Sequence, residues 1–150
     1  MFFYEYRKTW SMRVTAAKTR CGGRWTEARF KSFITSALRS AHSKWGPKAT
    51  AKKKAWVKRG VYKCEECGKE GPATLPPKPG NKRRRNNAAV DHVTPVVDPE
   101  VGFTNWDEYV ERMFIEEDGY QILCWSCHSD KTNEERKIAT ARRAKERTNG

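Results

Sequence analysis

The sequence predicts an α+β fold, a small core with flanking basic helices, on three observations. Two short apolar runs of strand length, residues 88–97 and 120–124, stand among longer segments whose apolar residues recur at three- and four-residue steps. Two tight thiol pairs, Cys64 with Cys67 and Cys124 with Cys127, lie beside those runs. Leu, Ile, Val and Phe supply only 22 of 150 residues, under the roughly 20% below which highly charged chains tend to stay disordered. Six Trp and five Tyr argue the other way, because each large ring can bury roughly 150–250 Å². The expected core is therefore thin and needs a staple.

Charge divides the chain further. The formal net charge is +13, with 31 Lys and Arg against 18 Asp and Glu. Residues 1–90 hold 23 basic and 5 acidic side chains, residues 91–135 hold 2 and 12, and residues 136–150 hold 6 and 1. Basic flanks suit a phosphate backbone, whose binding is driven largely by counterion release. The acidic middle repels phosphate unless it also holds a cation. No stretch approaches the roughly 20 apolar residues of a membrane span, and no secretory signal is evident, so a soluble, intracellular chain without a membrane partner is expected.

In chain order, residues 1–24 read as weakly ordered, with Gly22 and Gly23 a break. Residues 26–45 read as a helix burying Phe30, Phe33, Ile34, Ala37, Leu38, Ala41 and Trp45, stopped by Gly46 and Pro47. A second helix is expected over residues 50–59, ending at Gly60. It would carry Lys52, Lys53, Lys54, Lys58 and Arg59 on a solvated or a DNA-contacting face, and the charge balance favours the second. Residues 71–87, rich in Pro, read as a loop closing in the basic cluster Lys82, Arg83, Arg84 and Arg85, a DNA contact, a localisation signal or a linker. Residues 88–97 suit a strand interrupted by Pro95. Asn105 then caps a helix with Glu108 three positions on, burying Trp106, Tyr109, Val110, Met113 and Phe114 and ending at Gly119. Residues 120–124 form a second strand, and a last helix from about Ser126 places acids early and bases late. His42 and the N-terminal aromatics read as structural.

Two Cys-x-x-Cys pairs in an odd total of five cysteines fit a metal better than a disulfide framework. Cys64, Cys67, Cys124 and Cys127 can complete a tetrahedral site of four sulfurs, and soft sulfur selects zinc over magnesium. A redox dithiol pair and coincidence are the competing readings. Cys21 reads as a spare thiol. Asp91 and His92 end the apolar run, and His128 directly follows the last cysteine. A carboxylate and an imidazole on one divalent cation, with a second imidazole to deprotonate water, make a hydrolytic site.

The run Ala89-Val90-Asp91-His92-Val93-Thr94-Pro95-Val96, followed by Gln121-Ile122-Leu123-Cys124-Trp125-Ser126-Cys127-His128-Ser129-Asp130-Lys131-Thr132, resembles the HNH endonuclease family. These are the ββα-metal, or His-Me finger, nucleases, and the likeness is to their zinc-containing, phage-borne, homing-type branch. It covers residues 62–132. The resemblance implies that His92 is the general base and that Asp91 and His128 hold Mg²⁺ or Mn²⁺, leaving 5′-phosphate and 3′-hydroxyl ends. Lys131 would be a phosphate contact or an ordinary helix lysine. Gly119 stands where the family commonly has Asn, which leaves the orientation of His92 to a backbone carbonyl on its other ring nitrogen. The implied organisation is a basic DNA-binding arm and helices over residues 1–60, a zinc-bound nuclease core over 61–135 and a basic tail over 136–150. The implied partner is double-stranded DNA, cut by a monomer or homodimer in the cytoplasm of a bacterial host. The alternative is a zinc-stapled nucleic-acid-binding protein without catalysis; an RNA-directed nuclease is remoter.

Overall fold

The structure, a computed structural model, describes residues 15–150. The N-terminal aromatics lie outside the described residues. Contacts divide the chain into a unit ending at Ser40 and a second one, Ala41–Gly150.

In the first unit the expected break is a hairpin turn. Cys21, Gly22 and Gly23 all adopt positive φ, at 53°, 61° and 74°, a region that glycine enters without steric cost. The turn pairs β1 (Lys18–Arg20) antiparallel with β2 (Trp25–Thr26). Helix α1 (Glu27–His42) follows, its first turn closed by Thr26 Oγ1 accepting the Arg29 N–H at 3.2 Å. Phe30, Ile34 and Leu38 are half-buried as the helical spacing predicts. Phe33 is 56% exposed, resting its ring on Trp25 at 5.3 Å, so its predicted burial is corrected.

The second unit opens with the last turn of α1. α1 stops before Gly46 and Pro47, as expected, and the same pair begins α2 (Gly46–Lys54), because a proline in the first turn needs no hydrogen-bond donor. The helix predicted over 50–59 is corrected at its far end. Trp56 and Val57 favour extended backbone, and β3 (Trp56–Lys58) turns at Gly60, φ 75°, into β4 (Val61–Lys63). Thus Lys52, Lys53 and Lys54 are helical, whereas Lys58 lies on a strand and Arg59 in its turn. β4 pairs in turn with β5 (Glu70–Pro72). Within the expected loop, β6 (Thr74–Leu75) and β7 (Arg85–Asn86) form a two-rung ladder whose connection carries Lys82, Arg83 and Arg84.

β8 (Ala89–His92) pairs antiparallel with β9 (Tyr120–Leu123), opposing Asp91 to Gln121 and His92 to Tyr120. Between them lies α3 (Trp106–Met113), where the Asn105 side chain accepts the Glu108 N–H at 2.8 Å, the predicted cap. Tyr109 and Met113 are buried, but Val110 is 36% exposed and the helix ends at Met113. A 3₁₀ turn, Glu117–Gly119, then leads into β9. α4 (Trp125–Asn149) starts directly after β9, and its first N–H is satisfied by Asn87 Oδ1 at 2.9 Å.

The core is as thin as the composition demands. Ala55, Ala88 and Ile122 form its centre, covered by Tyr62 and Val90, and the largest fully buried side chains among the described residues are Ile122 and Leu123. Ala51 of α2 and Ala55, just after it, are buried, and residues 41–60 fall within the second unit. No helix among the described residues is long and apolar enough to cross a membrane.

Replacing Asn105 with Ala removes the cap of α3 and leaves the Glu108 N–H without its partner. We expect a loss of about 1 kcal/mol in denaturant unfolding, and an unchanged midpoint would contradict this role for the cap.

Candidate functional site

The knuckle that carries the first thiol pair is shaped by its own backbone. Cys64 N–H donates to Lys69 O and Gly68 N–H to Cys64 O, both at 2.9 Å, and Gly68 takes φ 69° to close the turn. Glu65 joins this knuckle to β9. Its backbone N–H donates to Ile122 O at 2.9 Å, and its carboxylate accepts the Ile122 N–H. The second pair sits where β9 becomes α4. As a result the Sγ atoms of Cys64, Cys67, Cys124 and Cys127 all lie within 4.8 Å of one another, with Cys67 and Cys124 at 3.9 Å. A tetrahedron with Zn–S bonds of about 2.3 Å has sulfur–sulfur edges of about 3.8 Å, so the donors fit zinc in both kind and spacing.

Electrostatics points the same way. Burial pushes the Cys64 thiol up, but the backbone N–H groups of Cys67, Cys124 and Glu66 and the Cys67 side chain outweigh it and bring the thiol down to about 7. Cys127 is pushed up to about 12, first by sharing its proton with Cys124, then by burial and its other sulfur neighbours. Four sulfurs this close cannot all ionise without a compensating cation. The chain therefore carries a four-cysteine metal-binding cluster. Cys21 is exposed, with Arg24 Nη2 at 3.4 Å from its sulfur.

One turn into α4, His128 N–H donates to Cys124 O at 3.0 Å, so the cluster also sets the position of His128. Its Nε2 approaches Asp91 Oδ1 at 3.9 Å. Asp91 is held on its other oxygen by Gln121 Nε2 at 3.0 Å and by the Lys131 ammonium, which also donates to His92 O. Lys131 further approaches Glu135 at 3.6 Å, so it faces inward to two carboxylates rather than outward. Asp91 and His128 together offer one carboxylate and one imidazole, a donor pair that suits a hard divalent ion completed by water. Among the described residues, the cysteines are the group of three or more metal-ligating side chains that converges.

His92 is not gathered with that pair. Neighbouring strand residues point to opposite faces, and the ring contacts of His92 are with His42, Tyr120 and Met113. Its Nε2 lies 3.0 Å from Met113 O, so a backbone carbonyl does orient the ring. Gly119 also explains itself. A Cβ there would come within 2.5 Å of Ile115 Cδ1, and the Gly119 carbonyl accepts Val93 N–H at 2.9 Å, closing the end of β8.

The basic residues expected to contact DNA are dispersed. Lys52 lies over the Tyr62 ring at 5.2 Å, Lys54 pairs with Glu117 at 2.7 Å, and Lys53, Lys58, Arg59 and Arg83 are exposed. Arg84 donates to Thr74 Oγ1 at 3.0 Å and Arg85 to Pro76 O at 3.0 Å, while Arg85 and Lys78 flank the Trp125 ring at 5.3 and 5.5 Å. The sequence gives no sign of Glu65 and Asn87, which carry the joints of this region, and His42, read only as structural, brings its ring to that of His92. Against family models, curated proteins and solved structures, the chain shows no significant match.

We expect the purified protein to hold about one equivalent of zinc, and Cys124→Ser to lose it together with much of the helical circular dichroism. A folded, zinc-free protein after chelation would remove the staple.

Proposed function

We propose that this protein is a zinc-stapled nucleic-acid-binding protein that hydrolyses phosphodiester bonds of double-stranded DNA at the end of β8, as an HNH-type endonuclease of ββα-metal architecture. The observation that carries the reading is the meeting of Asp91 with His128 beside a histidine, His92, whose Nε2 is already engaged. A ring that donates from Nε2 keeps a lone pair on Nδ1, which is the requirement for a base that takes a proton from water.

The division between faces suits the chemistry. Displacement at phosphorus needs the base on the side of the attacking water and positive charge on the side of the leaving oxygen. Asp91 and His128 would hold Mg²⁺ or Mn²⁺, which when bound supplies charge neutralisation at the phosphate and the departing alkoxide. Gln121 Nε2 orients the Asp91 carboxylate, and His92 Nδ1 accepts the proton of the attacking water. Lys131, whose ammonium meets Asp91, would have to release that carboxylate to add a phosphate contact. Phosphate groups along the duplex would be met by Lys52, Lys53, Lys58, Arg59 and Arg83, with Arg84 and Arg85 stiffening the basic connection. One such site attacks one phosphate, so a monomer nicks, and double-strand cutting needs a second copy or a second event.

A specific observation favours the second reading, nucleic-acid binding without cleavage. The Lys131 ammonium already neutralises Asp91, and Asp91 and His128 are two donors, short of a full ligand set.

Plasmid relaxation in Mg²⁺ or Mn²⁺ separates the two. We expect the wild type to nick, and His92→Ala to bind the same DNA within about twofold while cutting about 10²–10⁴-fold more slowly. Equal cutting by both proteins would remove the base assignment. Tight binding with no cutting by the wild type would establish the second reading.

A further inference from the structure

The ring of His92 is enclosed by two residues that have no part in the chemistry above. His42, at the end of α1, lies nearly parallel to it, with ring centroids 5.1 Å apart and planes at 25°. Tyr120, the cross-strand partner of His92, closes on it at 4.9 Å and 57°. Both are buried, His42 to 9% and Tyr120 to 4% exposure. Phe114 meets the His42 ring edge-on at 5.6 Å and holds it in place.

The polar atoms of the three rings form one connected set. Tyr120 Oη donates to Met113 O at 3.1 Å, and His92 Nε2 meets the same carbonyl at 3.0 Å. A carbonyl can only accept, so both groups point a proton at it. His42 Nε2 in turn shares a hydrogen bond with Tyr120 Oη at 2.7 Å. Met113 O thus joins Tyr120 to His92, and His42 joins the set through Tyr120. Burial, with lesser effects of Lys48 and His92, pushes the His42 imidazole down to about 4, and burial pushes the Tyr120 phenol up to about 12, the Glu116 carboxylate adding to it. Neither group ionises near neutral pH, so the pattern holds there.

We propose that His42 and Tyr120 are positioning residues that hold the His92 ring plane against Met113 O, and so keep the imidazole in its Nε2–H tautomer with Nδ1 as the lone-pair nitrogen. The proposal deepens the endonuclease reading, on which the value of that nitrogen depends, but the tautomer itself does not depend on cleavage. It also supplies what Gly119 cannot, a side-chain restraint on the base.

Long-range proton–nitrogen correlation of the histidine rings tests it, on the zinc-loaded full chain at about pH 8, above the ordinary imidazole range. The variants are Tyr120→Phe, which removes only a hydroxyl, and His42→Gln, with circular dichroism to confirm folding. Wild-type His92 is expected as the Nε2–H form alone, and both variants as mixtures of the two tautomers. In Mg²⁺, kcat for DNA nicking should fall about ten- to a hundredfold in both variants at unchanged KM, the scale of a misplaced catalytic group. An Nδ1–H or mixed His92 in the wild type overturns the proposal, as do folded variants that keep the wild-type ring signature. Should the ring signatures change as expected in a protein that cuts nothing, the positioning role stands and the endonuclease reading falls.

Discussion

The convergence of four sulfurs where β9 meets α4, a cluster able to hold a metal ion, is the constraint on which the rest of the second unit depends. The two thiol pairs come from segments 57 residues apart, and the Glu65 carboxylate and amide bolt the first pair to the backbone of Ile122. Magnitudes decide which effect dominates. Two fully buried aliphatic side chains contribute roughly 1.5–3 kcal/mol each, whereas structural zinc sites contribute about 10–16 kcal/mol of binding energy that becomes folding energy. With so few large apolar groups buried, the chain has more to gain from four thiolates than from its core.

The same junction reaches the candidate chemistry. Cys124 ends the strand and precedes the first residue of α4, so whatever fixes its sulfur also fixes the direction in which that helix leaves. His128 follows one turn later and meets Asp91 from β8, while Lys131, a further turn-fraction on, reaches the same carboxylate. A structural site and a candidate phosphodiester site thus share a helix. Disturbing the first displaces the second, even though no ligand is common to both.

Within β8, alternation sets a division of labour between adjacent residues. Asp91 faces α4 and its polar side chains, in contact with Gln121 and Lys131; His92 faces α3 and the end of α1, among rings and a carbonyl. A carboxylate in the first setting meets an ammonium and an amide. An imidazole in the second is restrained in orientation and kept from pairing with that carboxylate. The basic side chains show the opposite economy of placement. Several are already engaged with rings, backbone or Glu117, so the high net charge overstates how many are free to meet phosphate.

Local chemistry was legible in the sequence wherever it is settled by near neighbours. Asn105 capped its helix as the Asn-x-x-Glu spacing predicts, the first half of the run at 88–97 became β8 and the run at 120–124 became β9, and the thiol spacing foretold four converging sulfurs, because such features need only a turn or a pair. Gly46 and Pro47 marked the stop of α1 but not the start of α2, since one dipeptide can do both, and the burial of Ala51 and Ala55 goes with the second. His42 read only as structural: its hydroxyl partner lies 78 residues away, and no periodicity encodes a contact of that range. The sequence by itself determined the α+β character, the metal ligands and the residue types of the candidate site. Only the tertiary structure decided that Asp91 turns to His128 and Lys131 while His92 turns to His42 and Tyr120, because side-chain direction depends on which face of the strand each neighbouring element covers.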